Sequence, residues 1–306
     1  MPAPKQRYNL LRKRLKQFTR MLHGLDKGDV RALHRTRVAS RRLREVLPIL
    51  QLDAEVARKL GRRLRNVTKR LGAVRNFDVL LLLIDELHES GRHDERSLNR
   101  LAAVVSEERS EGRERRLARL PTAELHRVAD KLDKVARQLK ATEHSASARG
   151  RTSARSWRWA VEALVVRRAA GLATAVHEAG AVYLPGRLHV VRIALKKLRY
   201  AVELLVEIDP APAARISDLR TLKHGQDVLG RLHDVQLLMD RVRQLQASLT
   251  PPDIAVWGEL DALVASLENA CRRLHARYMR ERSALLAICD RVGARRSAPA
   301  ARRRAG

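Results

Sequence analysis

The stretch His34-Arg35-Thr36-Arg37-Val38-Ala39-Ser40-Arg41-Arg42-Leu43-Arg44 decides the fold, because the chain carries it twice. The second copy is His189-Val190-Val191-Arg192-Ile193-Ala194-Leu195-Lys196-Lys197-Leu198-Arg199, and both obey H-x-x-R-[VI]-A-x-[RK]-[RK]-L-R. A second block follows each copy at nearly the same offset. Leu64-Arg65 and Leu71-Gly72-Ala73-Val74-Arg75-Asn76 match Leu222-Lys223 and Leu229-Gly230-Arg231-Leu232-His233-Asp234. Two blocks kept in the same order mark a tandem duplication of one helical unit.

Placed on a helix at about 100° per residue, the repeat separates into two faces. Arg37, Arg41 and Arg44 fall within roughly 80° of His34, while Ala32, Ala39, Leu43, Val46, Leu47 and Leu50 gather opposite as a core stripe. In the second copy His189, Arg192, Lys196 and Arg199 form the cationic stripe. Val191, Ala194, Leu198, Ala201, Val202 and Leu205 form the apolar one. Cations stacked at this spacing repel one another by a few tenths of a kcal/mol per pair. A linear chain of phosphates along the helix offsets that cost, since each guanidinium or ammonium meets phosphate oxygens. Histidine suits the same task, because both ring nitrogens donate once it is protonated.

A single basic stripe is ordinarily a solvated helix face. Duplication with the charge type preserved (Arg41 to Lys196, Arg42 to Lys197) favours a binding face. For His34 and His189, ligand contact and a structural hydrogen bond both stay open. The second blocks add Arg62 and Arg65, matched by Arg220 and Lys223, opposite the apolar Leu64, Val67 and Leu71. Turned inward, the two repeats would line a shared basic groove. Arg75 and His233 occupy equivalent positions beside an expected helix start, where free backbone N–H groups favour anions.

Around these blocks almost every segment has helical period and strand-like alternation is nearly absent. Helices are expected at about 5–23, 28–50, 53–71, 75–90, 96–118 and 122–140, then 156–180, 186–208, 212–229, 232–248 and 253–291. Breaks are expected at Gly28, Pro121, Pro185-Gly186, Pro210 and Pro251-Pro252. Thr142 to Ser156 is rich in Ser, Ala, Arg and Gly and reads as a flexible linker. The division is therefore a first bundle at 5–140, a linker at 141–156, a second bundle at 157–291 and a basic tail at 292–306. Arg295, Arg296 and Arg302 to Arg304 sit in that tail without apolar period, so disorder is expected.

Composition sets outer limits on function. Apolar residues make up 45% of the 306, enough for a packed core. Lys and Arg number 63 against 34 Asp and Glu, a net charge of +29 that calls for a polyanionic partner. Aromatic content of 3% is too low for a base-stacking platform, and the repeated motif holds no Asn or Gln to read adenine edges. Weak, non-specific phosphate contact with DNA or RNA is still expected, and a nucleic-acid backbone binder is the alternative reading. No catalytic motif, C-x-x-C or H-E-x-x-H is present, and the cationic stripes read as free of carboxylates, so neither a reaction, a metal nor a cofactor is expected. His88-Glu89 and His233-Asp234 read as helix-surface pairs. The only cysteines, Cys271 and Cys289, lie roughly 27 Å apart if both share the last helix, which rules out a disulfide within it. A reducing, cytoplasmic setting and no membrane span are expected.

The paired motif closely resembles the signature of the conserved-histidine α-helical domain, the CHAD family. The matching residues are His34, Arg37, Arg41 and Arg44, then His189, Arg192, Lys196, Arg199 and Tyr200, with the Leu-Gly-x-x-Arg/His-Asn/Asp blocks at Leu71 and Leu229. The resemblance covers roughly residues 5–291. It implies an all-α fold of two four-helix bundles related by pseudo-twofold symmetry around a basic pore or groove. It also implies binding of inorganic polyphosphate and association with polyphosphate granules. Asn76 stands where the family usually carries aspartate, and no E-x-E-x-K triphosphatase motif accompanies the domain.

Overall fold

The computed structural model describes residues 6–26, 30–71, 75–117, 122–147, 151–208, 213–249 and 253–297. Their regular structure is helical: α1 (Gln6–Asp26), α2 (Val30–Val46), a 3-10 turn (Leu47–Ile49), α3 (Ala54–Arg70), α4 (Arg75–Glu89), α5 (Glu95–Leu117), α6 (Thr122–Ser147), α7 (Arg151–Ala179), α8 (Pro185–Ile208), α9 (Ala213–Ala247) and α10 (Ile254–Ser297). No strand occurs among the described residues.

Local chemistry explains the ends. Pro48 falls at the second position of the 3-10 turn, where the helix of the first repeat stops. Asp53 caps α3 by accepting from the Glu55 and Val56 amides at 2.9 and 3.2 Å. Gly91 and Gly180 take φ of +61° and +64° just past α4 and α7, a conformation that costs a Cβ-bearing residue more. Pro185 opens α8 at the position where a missing N–H costs nothing. The expected breaks at Gly28, Pro121, Pro210 and Pro251-Pro252 lie outside the described residues.

Three expectations are corrected. The helices expected at 212–229 and 232–248 are one helix, α9. A glycine inside a helix costs about 1 kcal/mol against alanine. Burial of Leu229, Leu232 and Val235 either side of Gly230 outweighs that cost. Helix also occupies most of the 142–156 segment, with α6 running to Ser147 and α7 starting at Arg151. There Glu143 is held by the Arg7 Nε and backbone amide at 3.0 and 3.3 Å, and Trp157 is buried, so each helix is anchored beyond the expected boundary. Finally, α10 continues to Ser297, and of the expected tail only 298–306 lies outside the described residues.

Contacts group the chain into two compact units that are not the contiguous sequence halves. The first comprises residues 1–75, 112–164 and 207–209. Its helices α1, α2, α3 and α6 pack around Leu11, Phe18, Leu43, Leu64, Val67 and Leu132, all fully buried. The second comprises residues 76–111, 165–206 and 210–306. Here the α4–α5 hairpin lies against α9 and α10, sharing a core of Leu83, Ile84, Leu101, Val105, Leu238, Val242, Leu263 and Leu267. Arg231–Glu86 and Arg241–Glu108 ion pairs and a 2.6 Å bond from Ser97 to Glu259 rim that core. Cys271 and Cys289 are buried free thiols on α10. Among the described residues no helix is long and apolar enough to cross a membrane.

Candidate polyanion-binding site

In the first unit, α2 lays its apolar residues inward as its period requires. Ala32, Ala39, Leu43, Val46, Leu47 and Leu50 are all buried. Arg37, Arg41, Arg42 and Arg44 are half-buried, so this stripe is a recessed surface. Beneath it the hydroxyls of Ser40 and Thr68 meet at 2.9 Å in the interior and tie α2 to α3. Arg62 and Arg65 on α3 are exposed. The side chains of His34 and Arg75 lie outside the described residues, although Arg75 does stand at the start of α4.

The second unit shows the equivalent surface in more detail. His189, Arg192, Lys196, Lys197 and Arg199 are half-buried on α8, and His233 is half-buried on α9. The His189 and His233 rings contact each other, with centroids 4.8 Å apart and planes tilted by 49°. Burial, reinforced by the Arg192, His189 and Lys196 charges, pushes the His233 imidazole down to about 4. His189 is lowered in the same direction by burial, then by Arg192 and Lys196. Two neutral rings beside two cations form an electropositive cluster that an anion would relieve.

Several site expectations change. His233 lies in mid-α9, so it has no helix N-terminus beside it; the fusion across Gly230 removes that start. Ala194 is half-buried and Leu195 takes its place in the core, with one methyl 3.4 Å from where a Cβ on Gly225 would stand. The stripes also carry carboxylates at their C-terminal ends, contrary to expectation. Arg199 pairs with Glu203 and donates from Nε to Gln226 at 2.9 Å, and its guanidinium lies 4.8 Å from the Tyr200 ring centre. Arg44 lies 3.7 Å from Glu45. The i,i+4 spacing of Arg199 and Glu203 was readable in the sequence; Gln226 was not, since only folding brings α9 to α8. Arg220 and Lys223 are exposed on α9.

Motif spacing also gave no sign of an interior line on α10. His275, Tyr278 and Arg282 place buried polar atoms on one face of that helix, and Tyr183 reaches it, its ring 5.3 Å from His275. Among the described residues no three His, Cys, Asp or Glu side chains gather to hold a metal ion.

The CHAD domain family matches residues 9–243. The chain belongs to the CHAD family. Among solved structures it is similar to PptA from Streptomyces chartreusis, with a TM-score of 0.64 at 20% identity, covering 92% of this chain and 99% of that one. It is also similar to the CHAD domain from the plant Ricinus communis, with a TM-score of 0.56 at 22% identity, covering 90% and 92%. These likenesses establish the shared helical fold. No curated protein matches.

Proposed function

We propose that this chain binds inorganic polyphosphate along the two repeated stripes and catalyses no reaction on it. The observation that carries this reading is the recessed cationic surface kept in both copies, which in the second gathers His189, His233, Arg192 and Lys196. Arg37, Arg41, Arg192 and Lys196 make the principal contacts. Arg42, Arg44, Lys197 and Arg199 flank them, and Arg62, Arg65, Arg75, Arg220 and Lys223 extend the field. The pseudo-twofold relation of the copies and the basic pore belong to this reading through the family resemblance, as does a cytoplasmic place on polyphosphate granules.

The test is binding of long-chain polyphosphate at moderate salt, in competition with DNA at equal phosphate concentration. Arg37→Ala/Arg41→Ala and Arg192→Ala/Lys196→Ala are each expected to lose about 1.5–3 kcal/mol per desolvated contact. Arg127→Ala/Lys131→Ala, an equal-charge pair exposed on α6, is expected to lose less than about 1 kcal/mol. Equal losses from all three pairs would make binding diffuse electrostatics. DNA competing as well as polyphosphate would favour the nucleic-acid alternative. Release of orthophosphate during incubation would overturn the absence of catalysis.

A further inference from the structure

We propose that the His189–His233 pair couples polyphosphate binding to proton uptake, so that the second-copy stripe grips its ligand harder as pH falls. This rests on the polyphosphate reading above. The two rings touch at 4.8 Å on facing helices, both half-buried. Besides burial, Arg192 and Lys196 from α8 act on both rings, and His189 acts on His233 as well. Without ligand, burial and the two cations hold both rings neutral near pH 7, His233 down to about 4. A polyphosphate lying on Arg192 and Lys196 offsets those positive charges and adds negative ones at the same surface. Each ring then favours its protonated form, which donates from both nitrogens to phosphate oxygens.

The sign follows from linkage. A group whose pKa is higher in the complex than in the free protein takes up a proton on binding at any pH between the two values. Affinity therefore rises as pH falls through that window. It is flat above the bound-state pKa and flat again below the free-state pKa. The lower edge for His233 is about 4, and the upper edge is set by its pKa in the complex. The first copy has Arg75 at the position equivalent to His233. An arginine stays charged throughout, so it takes up nothing. The duplication has thus given one copy a permanent cation and the other a titratable one.

The experiment uses the full chain and long-chain polyphosphate, whose internal groups stay ionised across the range. Calorimetric binding in buffers of different ionisation heat at pH 6 is expected to show net proton uptake. Affinity is expected to rise by up to about tenfold per pH unit, the slope for one linked proton. His233→Arg, which copies the first half, is expected to tighten binding at pH 8 and flatten the pH dependence. His233→Gln is expected to lose the gain at low pH. Uptake or slope unchanged in both variants overturns the proposal, as does a wild type with no uptake. If the variants fail to fold, proton NMR titration of the wild-type rings decides. Both resonances are expected to titrate at higher pH with polyphosphate bound, and unmoved titrations overturn the coupling while leaving binding intact. No binding at any pH would instead overturn the polyphosphate reading itself, and the coupling with it.

Discussion

The paired helices α2–α3 and α8–α9 carry the same outward charges on differently built interiors. The register of the repeat sets Ser40 against Leu195 and Val67 against Gly225. In the first unit the small residue is on α2 and the larger one on α3, with Ser40 bonded to Thr68. In the second the large residue is on α8, and a Cβ on Gly225 of α9 would come within 3.3 Å of Leu285 and 3.4 Å of Leu195. Bulk has moved from one helix to its neighbour while the cationic positions stayed in place. Core volume must be conserved only in sum, because packing is blind to which helix supplies it. A surface charge must keep its own helix and turn to meet a ligand. The duplication preserved the face that reaches solvent and let the layer beneath it exchange.

That exchange can be broken directly. Leu195→Ala removes the large partner in the second unit and is expected to cost about 2–5 kcal/mol of stability, read by urea unfolding. Gly225→Val imports the first unit's residue and is expected to cost about 1–3 kcal/mol through overpacking. Leu195→Ser/Gly225→Val rebuilds the first unit's pair inside the second. A favourable coupling of roughly 0.5–3 kcal/mol relative to the single changes is expected from a double-mutant cycle. Strict additivity would mean that the two positions do not share one layer.

Smaller effects sharpen the contrast. Ser40→Ala is expected to cost about 1 kcal/mol, the net worth of a buried hydrogen bond with its partner still satisfied, since Thr68 also bonds the Leu64 carbonyl at 2.5 Å. Hydrogen exchange in α2 and α3 should quicken while α8 and α9 are unaffected. The smallest expected changes have the opposite sign. The Thr36 and Tyr278 hydroxyls are each fully buried without a hydrogen-bond partner, one in each unit. Thr36→Val and Tyr278→Phe are expected to be neutral or to stabilise by up to about 1 kcal/mol, because an unpaired buried hydroxyl costs free energy. A marked loss from Tyr278→Phe would instead mean that the hydroxyl has a bound partner in solution.

Helix positions were legible because heptad-like spacing of Leu, Val and Ala is a local property. All six apolar residues assigned to the first repeat are buried, as are five of those assigned to the second, with Leu195 taking the role given to Ala194. Helix ends were less legible. Gly230 and the polar stretch from Thr142 read as breaks, yet burial of neighbouring residues keeps α9 whole and anchors α6 and α7. Tertiary contact overrides a propensity difference of about 1 kcal/mol. The cationic residues were also readable, since their charge and spacing repeat. Their recessed setting, the pairing of Arg199 with Glu203 and Gln226, and the His189–His233 contact were not.

By itself the sequence determined the helical class, written in spacings of three and four residues, and the duplication, the family and the identity of the cations, written in a motif that recurs at His34 and His189. Tertiary structure alone decided that the α4–α5 hairpin packs with α9 and α10, since Ile84, Val105, Val242 and Leu263 share one core across long sequence separations. It alone decided that His189 meets His233, because that contact depends on how α8 docks on α9. Spacing along one helix fixes which side chains share a face. Only the packing of one helix on another sets which faces meet, and with them the burial and local field that move a pKa.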